Sequence, residues 1–147
     1  MTEIKRGTPE SLRLQPFFTY TDETLVQSFF DGEFGVAWTD DVQTPACAAV
    51  YAGGFCFFAG DHQSPHARQL LAYLPEGTAF VIYVPANEAW GELFKEVWQD
   101  QYAVWNRFAM KKEGDIFDRE ALRKYAGSLP DPFTLRRIDA DLYDRAK

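Results

Sequence analysis

Basic residues, cysteine and histidine are scarce in this chain, and no apolar stretch is long. Fifteen Lys and Arg stand against twenty-two Asp and Glu, a net charge of −7. A nucleic-acid groove needs clustered positive charge to meet phosphates, so that partner is excluded. The pairs Lys111-Lys112 and Arg136-Arg137 lie in an acidic background and read as a solvated face. No run is long and apolar enough to span a bilayer, which removes the membrane as a partner. The N-terminal Met1–Gly7 is polar and has no apolar signal core, so the expected location is cytoplasmic. Carboxylates are scattered, with no pair spaced as a general acid and base, and no catalytic residue is named. Repeats, low-complexity tracts and internal linkers are also missing.

The two cysteines, Cys47 and Cys56, do not form a disulfide in this reading. If Gly53-Gly54 is a two-residue hairpin turn, Tyr51 pairs with Cys56 and Cys47 falls opposite Gly60. The sulfurs then share a face but sit too far apart along the ladder to bridge. They read as small buried hydrophobes.

What the chain does contain is material for a core. Hydrophobic residues make up 46% and aromatics 16% of 147 residues, including thirteen Phe and four Trp. That matches one domain spanning 1–147. The first helix is expected from Thr21, with Asp22 and Glu23 in its first turn, Leu25, Val26, Phe29 and Phe30 at helical spacing, and Gly32 after its end. Phe34, Val36 and Trp38 alternate as a strand closed by Asp40-Asp41 and Pro45. The hairpin 46–51 and 55–59 is apolar on both faces, so helices must cover both. Ser64-Pro65 reads as a helix start above the stripe Ala67, Leu70, Leu71 and Leu74. Residues 78–84 read as a central strand ending at Pro85. Asn87 caps a helix with Trp90, Leu93, Phe94, Val97 and Trp98 inward. Residues 101–110 alternate as another strand. Asp118 caps a further helix, with Phe117 and Leu122 as a hydrophobic staple and Gly127 at its C-terminal cap. Pro130 and Pro132 bracket a turn, 133–138 reads as a last strand, and 139–147 as the start of a helix. Three successive strands followed by strand–helix alternation define an α+β fold, a mixed, largely antiparallel sheet with helices on both faces.

Three segments carry a family likeness. They are Gly54-Phe55-Cys56-Phe57-Phe58-Ala59-Gly60, Arg107-Phe108-Ala109-Met110-Lys111-Lys112-Glu113, and the stretch from Leu122 to Leu142. In these the chain resembles the N-terminal half of a bacterial GNAT-family N-acetyltransferase, in the group related to zwittermicin A resistance proteins. The resemblance implies a GNAT-like sheet with a splayed central strand pair. It also implies a parent activity, acetyl transfer from acetyl-CoA to an amine of a small molecule. A catalytic C-terminal GNAT domain would follow, joined covalently or supplied in trans. On this basis the chain is either a fragment or a stand-alone relative of the first half.

The superfamily binds the acetyl-CoA pyrophosphate at an Arg/Gln-x-x-Gly-x-Gly/Ala turn, whose free N–H groups at a helix N-terminus receive the anion. Here the equivalent junction is Gly60-Asp61-His62-Gln63-Ser64-Pro65, which does not fit that spacing. Asp61 adds negative charge and Pro65 removes a donor. The expectation is a degenerate domain with no cofactor site of its own, acetyl-CoA belonging to the complete enzyme. It would support or line the acceptor site of a small molecule. The alternative is a non-enzymatic module that binds a small ligand or self-associates; a third reading, a minimal active acyltransferase, requires unusual cofactor contacts.

Other constellations weigh less. Asp61, His62 and His66 invite a metal, but the helix starts too late to align the two imidazoles, and a solvated cap is the plainer reading, so no metal is expected. Cys56 with His62 as base fails because a Phe-rich strand buries the thiol. Trp38, Trp105, Asn106 and Arg107 could line a cleft, with Arg107 on a carboxylate or phosphate. The plainer reading makes the tryptophans core or half-buried and Arg107 one half of a surface pair.

Overall fold

The computed structural model describes residues 1–73, 80–108 and 113–146, and no side chain of Ala146. The chain divides into two compact units, Met1–Val104 and Trp105–Lys147. In the first, five strands lie in the order β1 (Thr2–Lys5), β2 (Val36–Thr39), β3 (Cys47–Ala52), β4 (Phe55–Gly60) and β5 (Ile82–Pro85). The first four are antiparallel neighbours, and β5 joins β4 in parallel.

The β3–β4 hairpin forms as its sequence dictates. Gly53 and Gly54 both adopt positive φ, which a two-residue turn of this hand needs. Tyr51 pairs with Cys56 and Cys47 with Gly60. Both cysteines are buried and unbridged. Alternation then sorts the apolar residues to two faces. Ala48, Val50, Phe57 and Ala59 meet Val26, Phe29 and Phe30 of α2 (Thr24–Phe30), together with Leu14 of α1 (Pro9–Leu14) and Phe18 of the 3-10 turn Gln15–Phe18. Cys47, Ala49, Cys56 and Phe58 meet Ala67, Leu70 and Leu71 of α3 (Ala67–Ala72) and Trp90 of α4 (Glu88–Trp98). A mixed, mostly antiparallel sheet with helices on both faces is therefore what the double-sided apolar hairpin produced.

Several expectations are corrected. The N-terminal polar stretch holds β1, whose one buried apolar residue is Ile4, and α1, where Thr8 caps Ser11 ahead of Pro9. Helix α2 starts at Thr24, because the Thr21 hydroxyl accepts from Glu23 N (3.2 Å) in a turn before the helix. Helix α3 starts at Ala67, since Ser64 and Pro65 are used in the turn that precedes it. The strand expected at the centre of the sheet is β5 at its edge, and residues 78–79 lie outside the described ones. So do Leu74 and residues 109–112.

Helix α4 follows expectation, with the Asn87 side chain accepting from Trp90 N (3.1 Å). It ends at Gln99, which has φ 50°.

In the second unit, α5 (Arg119–Gly127) is capped by Asp118, which accepts from Glu120 N and Ala121 N at 3.0 Å. Gly127 is the last helical residue and Ser128 the cap, so the expected glycine cap is shifted by one. Asp139 accepts from Leu142 N (2.8 Å) at the start of α6 (Ala140–Ala146). Neither 101–108 nor 133–138 is a strand. Alternation supplies a face but not a partner, and an extended segment needs a neighbour for its N–H and C=O groups. Among the described residues, no helix is long and apolar enough to cross a membrane.

Candidate functional site

Parallel β4 and β5 end on the same side of the sheet, where α/β crevices commonly receive ligands. The Gly60–Pro65 junction lies there. Between it and the α4 face bearing Ala89, Glu92 and Glu96 is an open groove of about 510 Å³. Arg68 of α3 pairs with Glu96 across this groove, and Lys95 pairs with Glu92 at 2.6 Å.

Five of the backbone donors between Asp61 and Ala67 are engaged within the loop. Asp61 N donates to Ala46 O (2.8 Å), and Ser64 N to Asp61 O (3.2 Å). Gln63 N donates to the Asp61 carboxylate (2.8 Å), and His66 N to Ser64 Oγ (3.4 Å). Ala67 N donates to Ser64 O (2.9 Å). Pro65 has no N–H. An anion in this groove would meet Glu92 and Glu96, each paired with a cation.

Asp40, read in the sequence only as the end of a strand, organises the neighbouring loop. Its carboxylate accepts from Asp41 N (3.0 Å), Ala46 N (3.0 Å) and Cys47 N (3.3 Å), and from the hydroxyls of Thr39 and Ser64 at 3.2 Å. Burial alone would raise its pKa, but these bonds outweigh it and hold the carboxyl below its ordinary value. Ser64 thus ties the β4–α3 junction to the β2–β3 loop. A run of Asp-Asp followed by Thr and Pro after a buried strand was the available signal for this local hydrogen bonding.

His62 lies in the turn and His66 immediately before α3, so they share no helical face. Among the described residues, no three His, Cys, Asp or Glu side chains form a metal-holding group. Burial pushes the Cys56 thiol far above its ordinary pKa, and that of Cys47 up to about 11, so both remain neutral thiols. Trp38 is core, its ring 4.9 Å from that of Tyr73. Trp105, Asn106 and Arg107 belong to the second unit and are exposed, so Trp105 is neither core nor half-buried.

The mixed, mostly antiparallel sheet with helices on both faces defines an α+β protein, and two comparisons make that specific. Residues 15–147 match the family model described as GNAT acetyltransferase. The chain is also similar to the crystal structure of a GCN5-related N-acetyltransferase-like protein from Streptococcus suis, with 35% identity and a TM-score of 0.72 over 92% of this chain and 53% of that one. A comparison with curated proteins gives no match. The chain belongs to the GNAT acetyltransferase family, and it spans about half the length of the Streptococcus suis protein.

Proposed function

We propose that this chain is the non-catalytic N-terminal half of an N-acetyltransferase, in the group related to zwittermicin A resistance proteins. The complete protein transfers an acetyl group from acetyl-CoA to an amine of a small molecule. This half packs against a catalytic GNAT domain, joined to it or supplied in trans, and supports or lines the acceptor site. The reading keeps the chain free of cofactor and metal and sets it in the cytoplasm.

One observation carries it: five backbone N–H groups between Asp61 and Ala67 are engaged inside the loop, in a family where the resemblance assigns that turn to a diphosphate. The half-length match to the Streptococcus suis protein supports a missing second half. The test is calorimetric titration of the chain with acetyl-CoA, beside an acetyl-transfer assay on a panel of small amines. No heat and no product are expected from this chain, and transfer is expected from a longer protein that contains it. Turnover by the chain alone would overturn the proposal.

A further inference from the structure

Strand β4 outruns its parallel neighbour. The last β4–β5 hydrogen bond runs from Ala86 N to Phe58 O (3.0 Å), yet β4 continues to Gly60. Alternate residues of a strand present their carbonyls to the same side, so the Gly60 carbonyl points where β5 no longer runs. A buried carbonyl in such a place needs a donor. Trp90 supplies one: its Nε1–H donates to Gly60 O at 3.0 Å. The indole is fully buried, lies 6.0 Å from the Phe58 ring, and packs with Leu70 and Leu71 of α3. The Asn87 cap fixes its backbone at the first turn of α4. Only glycine fits at position 60, which sits at φ +90° and where a Cβ would meet Ala46 O at 2.4 Å. At the other end of the pair, Ile82 N donates to Gly54 O (2.8 Å), so β4 and β5 are joined from Gly54 to Phe58 and β4 runs on alone beyond it.

We infer that Trp90 is a resident plug: its indole fills the space beyond the end of β5 and takes the carbonyl that an entering ligand would meet at the strands' carboxyl ends. Acyl-CoA is thereby kept out of this sheet by the chain itself. The inference rests on the non-catalytic reading only in holding that acetyl-CoA binds elsewhere in the complete protein.

The test uses the full chain, with acetyl-CoA and free indole as probes and with melting and amide NMR as readouts. Wild type is expected to respond to neither probe at millimolar concentration. Trp90→Ala should lose roughly 10 °C in melting midpoint and regain part of it with indole, saturably, with the Gly60 and Asp61 amides shifting. Should Trp90→Ala not fold, refolding in indole is expected to recover it. Failure of indole to bind or rescue overturns the plug, as does an acetyl-CoA response in wild type at residues 58–61 and 86–90. Acetyl-CoA bound there without turnover overturns the plug and the cofactor-free reading and leaves the non-catalytic reading standing. Binding at other residues leaves the plug standing and overturns the cofactor-free reading.

Discussion

The two units differ in what holds them. Unit 1–104 carries five Lys and Arg against fourteen Asp and Glu, and unit 105–147 carries ten against eight. The first buries aromatic and aliphatic side chains on both sheet faces, with Val26, Phe29, Val50 and Phe57 fully enclosed. Among the described residues of the second none is buried, and eleven large hydrophobics are exposed; the longer first unit exposes seven. Yet the helix caps of the second unit are as well formed as those of the first: Asp118 and Asp139 meet their N–H groups at 2.8–3.0 Å. Local hydrogen bonding therefore does not depend on burial, whereas strand formation does. The described residues of both segments that alternate like strands after β5 remain unpaired, while β2, β3 and β4 found neighbours and a core.

The largest expected contrast comes from the same kind of truncation in each unit. Phe57→Ala should cost about 3–5 kcal/mol, because it empties a fully enclosed site between sheet and helices. Leu122→Ala, at an exposed helical position, should change stability by less than about 0.5 kcal/mol. Urea unfolding of both variants checks this, and equal losses would erase the distinction. Next comes Gly60→Ala. The positive φ and the close approach to Ala46 O together predict a loss of about 3 kcal/mol in the same measurement.

Caps sharpen the comparison further. Asn87→Ala should lower the cooperative unfolding free energy by about 1 kcal/mol. Asp118→Ala removes two cap bonds of similar length but should appear in far-UV dichroism as lost helicity, with the main transition unmoved. At the end of α4, Gln99 holds φ 50° without being glycine. Gln99→Gly should raise stability by about 0.5–1 kcal/mol by relieving that conformation.

The sequence was most legible where pattern and chemistry agreed locally. The Gly53-Gly54 turn set the hairpin register residue for residue, and Asn87, Asp118 and Asp139 marked three helix starts. It was least legible where the outcome depended on distant chain. Strand β1 contributes Ile4 alone to the core and exists because β2 offers it an edge. Residues 101–108 and 133–138 have the alternation of strands but no such edge. At the site, the position of the Gly60–Pro65 junction between a strand and a helix was visible directly. The roles of Trp90 and Asp40 were not, since nothing in spacing places an indole on Gly60 O or a carboxylate beneath Ala46, Cys47 and Ser64.

The smallest expected effect is the acid sensitivity of the first unit. Asp40 has a depressed pKa despite burial that opposes it, through the N–H groups of Ala46, Cys47 and Asp41. Asp41 is depressed too, by the N–H groups of Thr44 and Gln43. A carboxyl depressed on folding contributes stability above its unfolded value, and that contribution is lost as pH falls through the folded value. Stability of the first unit should therefore be level near neutrality and decline as pH drops below the ordinary aspartate value of 3.8. Asp40→Asn should lower stability at pH 7, because an amide nitrogen would face the Ser64 hydroxyl or the loop N–H groups in place of one carboxylate oxygen. It should also flatten part of the acid decline, since one of the linked protons is gone. Urea midpoints of wild type and variant between pH 2.5 and 7, read by the fluorescence of buried Trp38 and Trp90, check both. An unchanged acid slope in the variant would mean that the Asp40 hub does not couple folding to protonation.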